Sequence, residues 1–307
     1  MLNMPLLSAG PIHTLRAGPH TLVIAPSLGG RMASFQTTRA NGVVIDWLAP
    51  LDVTQGFDAH QWPKTGSYPL LPFSNRIRLG RFRWNGRDIE LPAHPGQAHA
   101  MHGFGHARPW TVEEDSEDTL VMTLAHTPAG EDWPWPLRAR QTLRLTERGL
   151  EIELSLRNDG DDAMPVGGGF HPFFARVPGM RLQFDAAHVW PADAGGVATA
   201  RTTVAERERF LRERDLPEGD FSRYYGAWKR AATLKRRDGA ALTIRAGEGL
   251  DHLVLHAPSG ADFFCVEPVS HVADAVNLAA RGWEGTGLRR LEPDASVTWR
   301  MQWDIGA

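Results

Sequence analysis

The stretch Arg140–Leu156 reads RQTLRLTERGLEIELSL, and its period decides the fold. Leu143 and Leu145, then Leu150, Ile152, Leu154 and Leu156, occupy alternate positions on either side of Glu147-Arg148-Gly149. Such alternation puts every second side chain on one face of a strand, and a glycine-bearing break between two runs makes a hairpin. Phe82–Leu91 (FRWNGRDIEL) repeats the pattern about Asn85-Gly86, the strongest short-range hairpin signal. Asp238-Gly239 separates Ala232–Lys235 from Ala241–Arg245 as a third hairpin. Leu120–Leu124 follows a turn-rich acidic run, and the tail Ser296–Trp303 alternates again. Only Thr203–Arg214 (TVAERERFLRER), with Glu-Arg pairs at helical spacing, predicts a helix. Short strands with turn signals about every eight to twelve residues predict an all-β chain, a large antiparallel β-sandwich with few short helices. With no linker composition, low-complexity tract or internal repeat, residues 1–307 read as a single domain.

The bulk properties narrow the function. A net charge of −3 and no basic run exclude a nucleic-acid footprint, so the expected partner is small and not strongly charged. The one cysteine, Cys265, excludes an internal disulfide framework and points to a reducing compartment. The opening MLNMPLLSAGPIHTLRAG lacks the pattern of a signal peptide, and no apolar run approaches the ~20 residues that span a bilayer. A cytoplasmic protein without membrane partners is expected, as monomer or homodimer. The 11 tryptophans against 3 tyrosines serve either as packing or as flat platforms for a sugar ring, and composition does not separate the two.

Four segments interrupt the strand pattern with polar residues beside Gly and Pro. They are Leu71–Ile77 (LPFSNRI), Ala98–Trp110 (AHAMHGFGHARPW), Gly167–Phe174 (GGGFHPFF) and Phe263–Pro268 (FFCVEP). Together with His94, the second holds His99, His102 and His106, a density compatible with a metal cage, a proton-handling pocket or a crowded loop. Gly and Pro at five positions there argue against a helix that would align the imidazoles. The fourth runs four apolar residues into Glu267, which puts a carboxylate at the rim of the core or in a cleft. There it is either salt-bridged to an arginine or a base whose pKa desolvation raises toward neutrality. In the third, the glycine triplet permits close backbone approach, and His171 is either a satisfied core residue or a fixed functional one.

These segments, in this order, resemble the aldose 1-epimerases of the galactose mutarotase-like superfamily. Asn75-Arg76-Ile77 with Gly80-Arg81-Phe82 matches the family's N-R-I…G-x-F pattern, and Met101-His102-Gly103 with Trp110 its L-H-G…W segment. His171-Pro172-Phe173-Phe174 matches H-P-Y/F-F, and Val266-Glu267-Pro268 with Asp274-Ala275-Val276-Asn277 matches E-x…D-A-x-N, so the resemblance spans roughly Gly29 to Asp304. It implies a β-sandwich with its site in a cleft, no cofactor and no metal. It also implies Glu267 as the base at the anomeric hydroxyl, His171 as the acid at the ring oxygen, and Arg76, His102 and Asn75 as substrate-binding residues. Two positions depart from the pattern: Ser222 stands where the family has a substrate-binding Asp, with Asp220 nearby, and Ala175 follows the H-P-F-F motif where Asn is usual.

Anomer interconversion through the open chain needs one proton removed from the C1 hydroxyl and one given to the ring oxygen. A histidine and a partly buried carboxylate on opposite sides of a free aldohexose would do both and then exchange roles, each transfer contributing ~10²–10⁴-fold. His102 is expected in the pocket and His94 in solvent, with His99 and His106 open. His252 and His256 lie in a strand-like run that would hold them about 13 Å apart, too far to complete a metal cage. The competing readings are a hexose-6-phosphate mutarotase, for which Arg76 and Arg78 would meet the phosphate, and a non-catalytic sugar-binding protein. A glycoside hydrolase would need Asp251 or Asp274 to face Glu267.

Overall fold

The structure is a computed structural model that describes residues 6–130 and 132–306. Its main strands are β1 (His13–Ala17), β2 (His20–Ala25), β3 (Arg31–Thr38), β4 (Ser67–Leu70) and β5 (Thr111–Asp115). There follow β6 (Thr119–His126), β7 (Leu137–Thr146), β8 (Gly149–Asn158), β9 (Gly169–Ala175) and β10 (Arg181–Trp190). The last are β11 (Phe221–Lys235), β12 (Ala241–Ala246), β13 (His252–Ala257), β14 (Phe263–Val269) and β15 (Ser296–Gly306). The hairpin read from Arg140–Leu156 is β7–β8, with Leu143 opposite Ile152. The Asn85-Gly86 hairpin pairs Trp84 with Arg87, and the Asp238-Gly239 hairpin pairs Lys235 with Ala241.

Antiparallel pairing builds two layers. One runs β5–β6–β7–β8–β15–β12 and reaches the C-terminal half of β11. The other runs from the N-terminal half of β11 through β13, β14, β9, β4, β3 and β2 to β1. The 15-residue β11 belongs to both, with β10 alongside it from Tyr224 to Lys235. Left-handed backbone at Ala227 and Arg230, and a register shift between Phe184 and Ala186, bend this pair where it crosses from one layer to the other. Between the layers, Trp303 of β15 meets Phe174 of β9 at 5.3 Å and Phe35 of β3 at 5.7 Å. Strand alternation then turns the neighbours of Phe174 and Phe264 outward, away from this core.

The helix expected over Thr203–Arg214 does not form. Thr202–Thr203 pairs with β10, Glu206–Glu208 makes a single 3-10 turn, and Arg214–Asp215 pairs with β10 again. The buried apolar residues are Val204, Phe210 and Leu216, six apart, which gives no continuous helical face. Arg214 instead donates to the carbonyls of Glu206, Arg207 and Arg209 and ties the segment into a loop. The α-helix that does form, Ala275–Ala280, is too short for its period to be read. No helix among the described residues is long and apolar enough to cross a membrane.

Candidate active site

β4, β9, β14, β13 and β11 lie side by side, and their register lines up one row of side chains. Tyr68 stands opposite His171, Val254 opposite Glu267, and Tyr224 opposite Val254. The pairs Gly169↔Val269 and Phe173↔Cys265 bracket His171 and Glu267, setting these two side by side. Two residues along, Cys265 faces His256, which faces Ser222. The glycine triplet is what allows β9 to lie this close. A Cβ on Gly169 would stand 2.5 Å from the Pro268 carbonyl oxygen, and one on Gly168 would stand 2.5 Å from the Trp299 ring.

His171 Nε2 is 3.5 Å from Glu267 Oε1, and both side chains are buried. The expectation placed an acid and a base on opposite sides of the substrate; neighbouring strands instead carry the two side chains next to each other, with no room for a sugar between them. The imidazole is stacked on Phe173 at 4.6 Å and lies against Tyr68 at 4.8 Å. Burial pushes Glu267 up to about 8, with Arg76 pulling the other way. Burial, reinforced by Lys64, holds His171 well below the usual imidazole range. The dry site thus favours a neutral carboxyl beside a neutral imidazole, with one proton between them.

His102 is drawn in by backbone geometry. It adopts left-handed φ of 62°, its Nδ1 accepts the Asn75 N–H at 3.2 Å, and its ring lies 5.2 Å from that of His171. Asn75, also left-handed, accepts from Arg76 Nη1 through Oδ1, while Arg76 Nε donates to Gln97 Oε1. The structure therefore brings His171, Glu267, His102, Asn75 and Arg76 together. Ser222 is exposed, at the edge of a cavity of about 970 Å3 that Arg76, Tyr224 and His256 also line. Asp220, the nearby alternative, accepts the Ser259 N–H.

The other histidines of the rich stretch are held by local contacts, and His99 also lines the cavity beside Arg76. His99 Nδ1 accepts the Leu79 N–H, and His106 is stacked on Tyr68 at 5.1 Å. His94, expected in solvent, is half-buried with its ring edge-on to Trp62 at 5.2 Å, because its loop closes back through hydrogen bonds to His99 and Gln97. Of the second carboxylates considered, Asp251 pairs with Arg230 at the surface. Asp274 is buried and accepts from the Arg78 N–H and the Asn277 side chain. Sequence reasoning missed Tyr68, Tyr224 and Lys64, whose nearness to the pair comes from strand register and from a loop, neither of which leaves a local signal.

A two-layer antiparallel sandwich with a histidine–glutamate pair on the outer face of one layer is a galactose mutarotase-like protein. Residues 11–303 match the family model for aldose 1-epimerase, and the chain belongs to that family. It is similar to the uncharacterized protein YphB of Escherichia coli (strain K12), 29% identical over 244 residues that cover 76% of this chain and 81% of that one. A crystal structure of an aldose 1-epimerase-like protein from Escherichia coli K12 superposes with a TM-score of 0.84 at 26% identity, covering 96% of this chain and 99% of the other. A galactose mutarotase-like protein from Clostridium acetobutylicum shares the fold, with a TM-score of 0.81 at 18% identity over 95% and 94% of the two chains.

Proposed function

We propose that the protein is an aldose 1-epimerase that interconverts the α and β anomers of a free aldohexose. The observation that carries this reading is the buried His171–Glu267 contact at 3.5 Å, with Arg76 acting on the carboxylate. The anomeric oxygen and the ring oxygen of a pyranose are bonded to the same carbon, so two proton carriers side by side suit them. In ring opening, ionised Glu267 takes the C1 hydroxyl proton while protonated His171 gives its proton to the ring oxygen as the C1–O5 bond breaks. Glu267 is then neutral and His171 neutral, the state that burial favours in the free protein. After rotation about C1–C2 the same two protons return in reverse, and the ring closes as the other anomer. Arg76, His102 and Asn75 hold the hydroxyls, and Ser222 meets the far end of the sugar. No metal or cofactor is required by this cycle.

A neutral sugar is favoured over a hexose 6-phosphate because Arg78 is already engaged, 2.8 Å from Asp193 and 3.9 Å from Asp274. A protein that only binds sugar has no use for a desolvated acid–base pair. The test is polarimetry on freshly dissolved α-aldohexoses and hexose 6-phosphates, with wild type and Glu267→Gln side by side. Acceleration by wild type and its loss in the variant is the expected result. No acceleration for any sugar, alongside measurable sugar binding, would leave a binding protein.

A further inference from the structure

We infer that His171, Cys265 and Glu267 form a reversible zinc site, and that zinc binding there switches the acid–base pair off. One ligand atom from each, all three residues being buried, lies within 4.8 Å of the other two. Cys265 and Glu267 are two apart on β14 and so share a face, with His171 beside Glu267 on the paired β9. Ligands from two hydrogen-bonded strands are held rigidly. Tetrahedral zinc sets its ligands about 3.3–3.6 Å apart, and the His171–Glu267 separation of 3.5 Å already meets that. The Cys265 sulfur, within 4.8 Å of both other ligand atoms, has about 1 Å or more to close for tetrahedral coordination at the outer limit of that separation.

The donor set of imidazole, thiolate and carboxylate selects zinc or cadmium over magnesium or calcium. On binding, Cys265 gives up its thiol proton, so two anionic ligands neutralise the divalent ion in the dry site. A resident metal would show a different surrounding, since a metal-bound imidazole normally donates its second N–H to an acceptor. His171 Nδ1 is buried and has no hydrogen-bond partner among the described residues, and Lys64 adds positive charge nearby. Both weaken the site, which makes it reversible.

Cys265 is the one cysteine of the chain, so any thiolate–metal signal comes from it. Cadmium added to the purified protein should give a thiolate-to-cadmium charge-transfer band in the ultraviolet, absent in Cys265→Ala and Cys265→Ser. Zinc should inhibit mutarotation competitively with sugar and reversibly with a chelator. In both variants sugar turnover should persist while the inhibitory zinc concentration rises about tenfold or more. No cadmium band, or equal zinc inhibition of wild type and Cys265→Ala, would overturn the proposal. The band is read without any sugar, so it stands or falls separately from the mutarotase reading.

Discussion

At the scale of single residues, the proposed chemistry rests on Glu267 being buried without ceasing to act as a base. Glu267→Gln keeps the shape and removes the proton carrier. It should leave less than about a tenth of wild-type kcat, a loss above about 1.4 kcal/mol, with KM within a few-fold. His171→Asn should act likewise, and the double variant should be little worse than either, because one proton exchange uses both groups. A Glu267→Gln enzyme that kept most of its kcat would remove Glu267 from the role of base. The proposed cycle needs one proton on the pair, so kcat/KM should fall as pH rises past about 8, where Glu267 loses it. It should fall again well below the usual imidazole range, where His171 gains a second. The same shift acts on stability. Between the ordinary 4.5 and about 8 the folded state holds the Glu267 proton and the unfolded chain does not, so stability falls as pH rises. Glu267→Gln should therefore melt higher than wild type, by a margin that is absent below that window and grows through it, with a ceiling of about 5 kcal/mol. Thermal melts across the range check this, and a margin independent of pH would mean that Glu267 is ionised when folded.

At the scale of elements, the site is a product of strand register. The hairpins β7–β8 and β11–β12 were legible because a period of two and a turn residue are local signals. The pairing of β9 with β14 joins segments far apart in the chain, so the Gly167–Phe174 and Phe263–Pro268 motifs declared their importance without declaring their contact. Residue-level chemistry therefore suggested an acid facing a base, where the sheet puts them shoulder to shoulder. The glycine triplet was the readable clue to close packing, and Gly169→Ala tests it. Its methyl group would wedge β9 from the Pro268 carbonyl, costing about 1–3 kcal/mol of stability and lowering kcat more than it raises KM. Unchanged kcat would mean that the separation of the two strands does not set the proton path. At the outer end of the row, β11 presents Ser222, at the position where the sequence resemblance implies a substrate-binding Asp. Ser222→Asp should tighten binding of those sugars whose hydroxyl it meets, by up to about tenfold, or ~1.4 kcal/mol. An unchanged KM across a panel of sugars would show that another residue at the edge of the cavity fills that role.

At the scale of the whole molecule, two layers close because β10 and β11 run through both, and the bends that permit this left no mark in composition. The helix wrongly expected over Thr203–Arg214 shows the same limit: charge spacing was helical, but the buried residues six apart had nothing to offer a helix face. The outer face of the closed sandwich is covered by loops that bring in histidines, several of them used as acceptors of backbone N–H groups. His271 is the clearest case: its Nε2 accepts from the Ser74 N–H at 3.1 Å while its Nδ1 donates to the Val272 carbonyl at 2.8 Å. Burial lowers it from 6.5 to about 4, and a second proton would set two N–H groups against each other. His102, which accepts the Asn75 N–H, is lowered in the same direction. Above 6.5 both states are neutral and these groups contribute nothing. As pH falls from 6.5 toward 4 the unfolded chain takes up protons that the folded one refuses, so stability drops with falling pH. His271 alone accounts for up to about 3 kcal/mol of that drop. Since Ser74 immediately precedes Asn75 and Arg76, the acid-induced loss should begin at the cleft. Glu267 contributes the opposite slope over part of this range in both proteins, so the readout is a difference: in denaturant melts wild type should exceed His271→Gln in stability at neutral pH and lose that margin as pH falls toward about 4. A difference in stability between wild type and His271→Gln that stays constant across that interval would mean that His271 titrates normally and that the Ser74 hydrogen bond does not hold the cleft wall.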